Sequence, residues 1–178
     1  YKSYGKGKLH WFIDPAFKTS VTYHIDGHNK LTFNGLVETK APLAGNGYVS
    51  VRNYDRAPEG LKSAKIFSGD LSYEINYSAV RGRITGYVTY TKDEAQLAGY
   101  YDDSYNTFVN YAMTGLDNIN AGIEAALAIK AGKYITLTPV VTWRYHKYTS
   151  DAQTTYSSEN GMVLDYMEVT NGTKTEYV

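Results

Sequence analysis

Ile66-Phe-Ser-Gly-Asp-Leu-Ser-Tyr-Glu-Ile-Asn-Tyr77, the turn Ser78 to Arg81, and Gly82-Arg-Ile-Thr-Gly-Tyr-Val-Thr-Tyr-Thr91 form the stretch that decides the fold. Side chains alternate across a β-strand, so every second residue shares one environment. Here Phe67, Gly69, Leu71, Tyr73 and Ile75 fall on one face, against Ser68, Asp70, Ser72, Glu74 and Asn76 on the other. The same pattern recurs on both sides. Ala16 to Ile25 and Leu31 to Glu38 flank Asp26-Gly27-His28-Asn29, while Ile119 to Ile129 and Ile135 to Tyr148 flank Lys130-Ala131-Gly132-Lys133. Each hairpin is followed by a longer polar stretch. Segments of about ten residues, with short turns at one end and long loops at the other, are the pattern of an outer-membrane β-barrel wall.

The expected architecture is all-β, with antiparallel up-and-down strands forming part of a transmembrane barrel. A single partial domain over 1–178 carries strands at 15–25, 30–38, 66–77, 82–92, 118–130 and 134–148. External loops are expected at 39–65 and 93–117, and a polar loop at 149–178. The segment 120–130 also has a helical phase, with Ile119, Ile123 and Leu127 in register. The turn into the next strand favours the extended reading. Pro139 cannot donate to a ladder, so a bulge or kink is expected there. An apolar patch at Met162-Val163-Leu164 suits an extra short strand.

Composition narrows the function. Lys+Arg and Asp+Glu are 18 each, so no net field argues for nucleic acid or an anionic surface. With no cysteine, disulfides and thiolate metal sites are excluded. No apolar run approaches the roughly 18 residues of a transmembrane helix, which leaves a barrel open. The chain opens in mid-pattern at Tyr1 and reads as a fragment of something longer. Tyr73, Tyr77, Tyr87, Tyr90, Trp143, Tyr145 and Tyr148 stand near strand ends, as interfacial girdles require; ordinary β-propensity is the plainer account. Asp70, Glu74, Arg83, Glu124 and Arg144 fall on polar faces. They suit either a half-exposed sheet or a watery lumen.

The expected ligand contacts are in the external loops: Arg52, Tyr54, Arg56, Tyr100, Tyr101, Asp102 and Tyr105. Tyrosine with Arg, Asp and Asn makes an adaptable surface able to stack on a sugar or bond a polar ligand. Loops that merely close on one another are the plainer account. Asp102 and Asp103 lack the oxygen count calcium needs, and the four histidines have no zinc spacing. Asp70 and Glu74 mimic a glycosidase pair but read better as lumen charge. No catalytic constellation, cofactor or metal is expected, and the chain does not read as an enzyme.

Two runs carry a family resemblance. Glu59-Gly-Leu-Lys-Ser-Ala-Lys-Ile-Phe-Ser-Gly-Asp-Leu-Ser-Tyr73 resembles the approach to a late barrel strand of TonB-dependent receptors. Tyr100-Tyr-Asp-Asp-Ser-Tyr-Asn-Thr-Phe-Val-Asn-Tyr-Ala-Met-Thr-Gly115, with Gly122-Ile-Glu124, resembles the following loop and strand, in the Bacteroidetes type. Tyr1-Lys-Ser-Tyr-Gly-Lys-Gly7 and Thr39-Lys-Ala-Pro-Leu43 look like pieces of the same region. The likeness covers roughly residues 1 to 150. It departs at Ser63 and Ala64, where the family commonly has Pro-Glu. It implies about six of roughly 22 barrel strands, in an outer-membrane receptor that imports a scarce nutrient. The implied partners are the TonB complex (through an N-terminal part not in this sequence), outer-membrane lipid, a small nutrient ligand and a surface lipoprotein. Two other readings stand beside it: a soluble or surface-attached lectin-like β-module, and a passive porin-like protein.

Overall fold

The computed structural model describes residues 9–49, 57–104 and 106–158. They form one antiparallel sheet curled into a half-barrel, with no α-helix among the described residues. The strands are β1 (Ala16–His24), β2 (Asn29–Lys40), β3 (Ala64–Asn76), β4 (Val80–Asp102), β5 (Thr107–Lys130), β6 (Thr136–Leu137), β7 (Val140–Tyr148) and β8 (Gln153–Ser158). Neighbours in sequence pair in space from β1 to β5. β6, β7 and β8 then follow one another along the free side of β5, forming a sixth, interrupted lane.

Several expectations are corrected. The stretch 93–117 is not a loop. β4 runs on to Asp102 and β5 starts at Thr107, so the hairpin rises on the order of 75–80 Å at about 3.3 Å per residue. Register shifts between Thr91, Glu94 and Gln96 mark a bulge, with Asp93 at φ 63° and Gly115 opposite at φ 73°. The bulge resets which face each residue takes, so the period-two signal breaks there. The strand expected at 134–148 is split at Pro139 into β6 and β7. The proline carbonyl still accepts from Leu127 N at 3.1 Å, which keeps the lane in place. The expected polar loop from 149 contains β8, which adds to the outer end of β5. The expected strand at 162–164 lies outside the described residues. The segment 120–130 is extended, within β5.

The register sorts the faces across the whole sheet, because residues paired directly opposite share a side. Val21, Phe33, Leu71, Gly86, Ile123 and Trp143 stand in one row, and Tyr23, Leu31, Tyr73, Ile84, Ala125 and Val141 in another. A third joins Phe17, Val37, Phe67, Tyr90, Ile119 and Lys147. The opposite side carries rows such as Ser20, Asn34, Asp70, Tyr87, Gly122, Arg144, and Thr22, Thr32, Ser72, Thr85, Glu124, Thr142.

Large apolar side chains of the lower wall are exposed. Leu71 is 54% exposed and Trp143 59%, whereas Ser72 is 1% exposed. Among the described residues, buried apolar side chains cluster at and beyond the bulge, where Val109, Ala112, Met113 and Leu116 are buried together with Val49 and Ala95. There the loop after β2 and the added β8 cover the long hairpin. Asn46 Nδ2 donates to Ala95 O at 3.0 Å, and Thr114 Oγ1 to Glu59 O at 2.6 Å.

Candidate functional site: the polar concavity

The polar side is knit by short cross-strand bonds. Ser20 Oγ donates to Asn34 Oδ1 at 2.7 Å, and Asn34 Nδ2 to Asp70 Oδ1 at 2.8 Å. The hydroxyls of Ser72 and Thr85 lie 2.9 Å apart, and Arg83 binds both, each at 3.0 Å. Lys30 and Glu74 form an ion pair at 3.1 Å. These ladders hold polar groups without a second layer over them. Gly122 leaves room for Tyr87, since a Cβ there would meet the phenol oxygen at 2.5 Å.

Two hollows open on this side, as converging walls of a curled sheet require. The lower, of about 550 Å³, lies at the short-turn end among His24, Lys30, Glu74, Arg81 and Arg83. The upper, of about 390 Å³, lies beneath the loop after β2. Its floor is Asn118, Asn120, Arg144, His146 and Tyr148, and its walls include Lys40, Lys62, Glu94 and Gln96. Both sizes fall in the ~300–1,000 Å³ range of small-molecule sites.

The upper hollow is the better organised. Asn118 Nδ2 donates to Glu94 Oε2 at 2.8 Å, Arg144 Nε to Asn120 Oδ1 at 3.0 Å, and Gln96 Nε2 to Tyr148 Oη at 3.2 Å. The His146 ring stands edge-on to Tyr148, 5.2 Å between centroids. Lys62 is tied to Asp93 at 2.8 Å, which pins the loop to the bulge. Amides both donate and accept, as ligand hydroxyls do. The hollow can therefore bind a polar ligand by exchanging internal bonds for external ones.

The residues expected from sequence lie elsewhere. Arg52, Tyr54, Arg56 and Tyr105 are outside the described residues. Tyr100, Tyr101 and Asp102 come together at the outer end of β4 rather than in a loop, and none lines either hollow. Asp102 Oδ1 accepts from Ser104 N at 2.9 Å and shapes the hairpin tip. Tyr101 donates to Asn106 Oδ1 and meets Phe108 edge-on at 5.1 Å. Tyr100 stands 6.1 Å from Tyr111, itself 6.3 Å from Tyr156. Burial first, then the nearby Asp102 and Tyr156, raises the Tyr100 hydroxyl above its ordinary pKa. The hollow's floor, by contrast, comes from polar positions of ordinary strands. Their signal was the period-two phase of Asn118, Asn120, Arg144 and His146.

Among the described residues no group of three or more His, Asp or Glu side chains could hold a metal ion. No family model matches the chain, and no curated protein or solved structure is similar to it.

Proposed function

We propose that this chain is part of the wall of an outer-membrane β-barrel, in a TonB-dependent receptor that imports a scarce nutrient past the upper polar hollow. The observation that carries the membrane part is the exposed apolar face of the sheet: Val21, Phe33, Leu71, Ile84, Ile123, Val141 and Trp143 fall in continuous rows on one side and are all bare. In water such a face would need a second layer, and none packs on it among the described residues. In lipid it needs none.

The outline of the apolar face supports the same reading. Relative to the row of Phe17 and Ile119, its upper edge lies lower on β7, where Tyr145 gives way to Lys147. It lies higher ahead of β1, where Ile13, Trp11 and Leu9 are all exposed. The lower edge also drops from β1 to β6, whose Leu137 and the preceding Ile135 are exposed below the level of Ile25. An oblique band is what tilted strands make in a flat slab. Along β5 the band runs from Ile119 to Ile129, roughly 33 Å of strand; tilted by about 40° this spans about 25 Å. β1 and the β6–β8 lane each have a partner on one side only among the described residues, and in the full barrel both edges pair onward.

The TonB-dependent part rests on the resemblance of the two sequence runs and on the height of the β4–β5 hairpin above the band. The test is transport. Small molecules that co-purify with the full-length protein are identified, and their uptake by cells is measured with and without a protonophore. Uptake should stop when the proton-motive force collapses. Uptake indifferent to the protonophore would make the protein a passive pore.

A further inference from the structure

The upper edge of the apolar face carries an arrangement that the wall reading leaves unexplained. Lys65 and Lys92 are direct cross-strand partners between β3 and β4. By parity both point to the apolar side, two residue pairs above Phe67 and Tyr90. Like charges placed directly opposite destabilise a sheet. Lys147 extends the line across β7, on the same side, opposite Ile119. All three are exposed, and among the described residues none of them forms an ion pair. Two carboxylates stand nearby and both are engaged otherwise: Asp117 accepts from Tyr90 Oη at 3.0 Å and Asp93 N at 2.9 Å, and Asp14, bonded to the side chain of Thr39 opposite Lys65, accepts from Ala41 N at 2.8 Å. The lysines therefore follow the same oblique edge as the apolar band. They sit at its long-loop end, which in such barrels faces outward.

We propose that this lysine line is a binding site for the phosphate-bearing headgroup of an outer-leaflet lipid, with its acyl chains on Phe67, Leu71 and Val88 below. The complementarity is twofold. An anionic head meets paired cations whose mutual repulsion it relieves, and an apolar tail meets an oily face directly beneath them. Polar ligands of the lumen cannot reach the site, because it lies on the other side of the sheet from the hollows. The proposal rests on the apolar face being lipid-exposed.

The experiment uses the full-length protein in neutral detergent and measures retention of diphosphorylated lipid A, and of its dephosphorylated form, by native mass spectrometry. The wild type should retain the phosphorylated form preferentially. Lys65→Gln with Lys92→Gln should weaken retention by roughly fivefold per lysine, and arginine at both positions should restore it. Without lipid A the glutamine pair should melt no lower than the wild type, since a repulsion has been removed. Equal retention of the two lipid forms, or a preference unchanged in the glutamine pair, overturns the proposal while leaving the wall reading intact. A folded monomer that stays soluble without detergent overturns both.

Discussion

Leu71 and Ser72 are adjacent, yet the apolar one is bare and the hydroxyl is enclosed. On a soluble sheet, Leu71→Arg at a half-exposed position would be close to neutral. On a lipid-facing wall near the midplane it should cost about 2–4 kcal/mol. Refolding into vesicles, with denaturant titration of both forms, reads the difference directly. Asp26 sets a second expectation at the short-turn end. Its carboxylate accepts from His28 N at 2.7 Å and Asn29 N at 2.8 Å, and from the Asn29 amide. The His28 amide bond first, then the Asn29 side chain, holds its pKa below the ordinary 3.8. The carboxylate therefore stabilises the turn at pH values above that ordinary value, and the stabilisation disappears as pH falls through the lowered one. Protection of the His28 and Asn29 amides, relative to the intrinsic exchange rate at each pH, should fall on that descent, and Asp26→Ala should remove that pH-dependent protection.

At the level of the elements, the packing of Tyr87 over Gly122 couples β4 to β5. Gly122→Val should destabilise by ~1–3 kcal/mol or more, since its Cβ would meet the Tyr87 phenol at 2.5 Å and the Trp143 carbonyl at 2.6 Å; a Tyr87→Ala background should recover the part due to the phenol and leave the backbone clash. Additive costs in the double-mutant cycle would contradict the contact. The lower hairpins were legible because apolar and polar residues alternate from Phe67 through Ile75 without interruption. The upper parts of β4 and β5 were not. Asp93 and Glu94 break the phase at the bulge, and the residues beyond it (Tyr100, Tyr101, Asp102, Asn106) have the composition of a turn. β8 was hidden for a related reason: Gln-Thr-Thr-Tyr-Ser-Ser carries no apolar alternation and gains its strand from the exposed edge of β5. The candidate hollow was half visible. Arg144 and Glu124 stood on the polar face in the sequence, but that the loop after β2 roofs Asn118 and Asn120 depends on contacts far apart in the chain.

At the scale of the whole sheet, the described residues join an exposed apolar face, a polar concavity and a roofed hollow near the upper edge of that face. Removing two amides of the floor, Asn118→Ala with Asn120→Ala, should reduce ligand retention and uptake by tenfold or more, at about 1 kcal/mol or so per lost hydrogen bond. Heat-modifiable gel mobility should be unchanged, since the apolar face is untouched. Unaltered uptake would move the site to the tyrosine cluster around Tyr100. The central claim is the sorting of faces, and the absence of cysteine from these 178 residues makes it directly measurable. Single cysteines at 70, 71, 84, 85, 123 and 124 are introduced in the full-length protein, with any cysteine outside this sequence replaced, held in its native membrane, and treated with a water-soluble and a lipid-soluble maleimide. The account expects positions 71, 84 and 123 to react only with the lipid-soluble reagent, and 70, 85 and 124 to react with the aqueous one. Ready aqueous labelling of 71, 84 and 123, with no alternation along the strands, would contradict it.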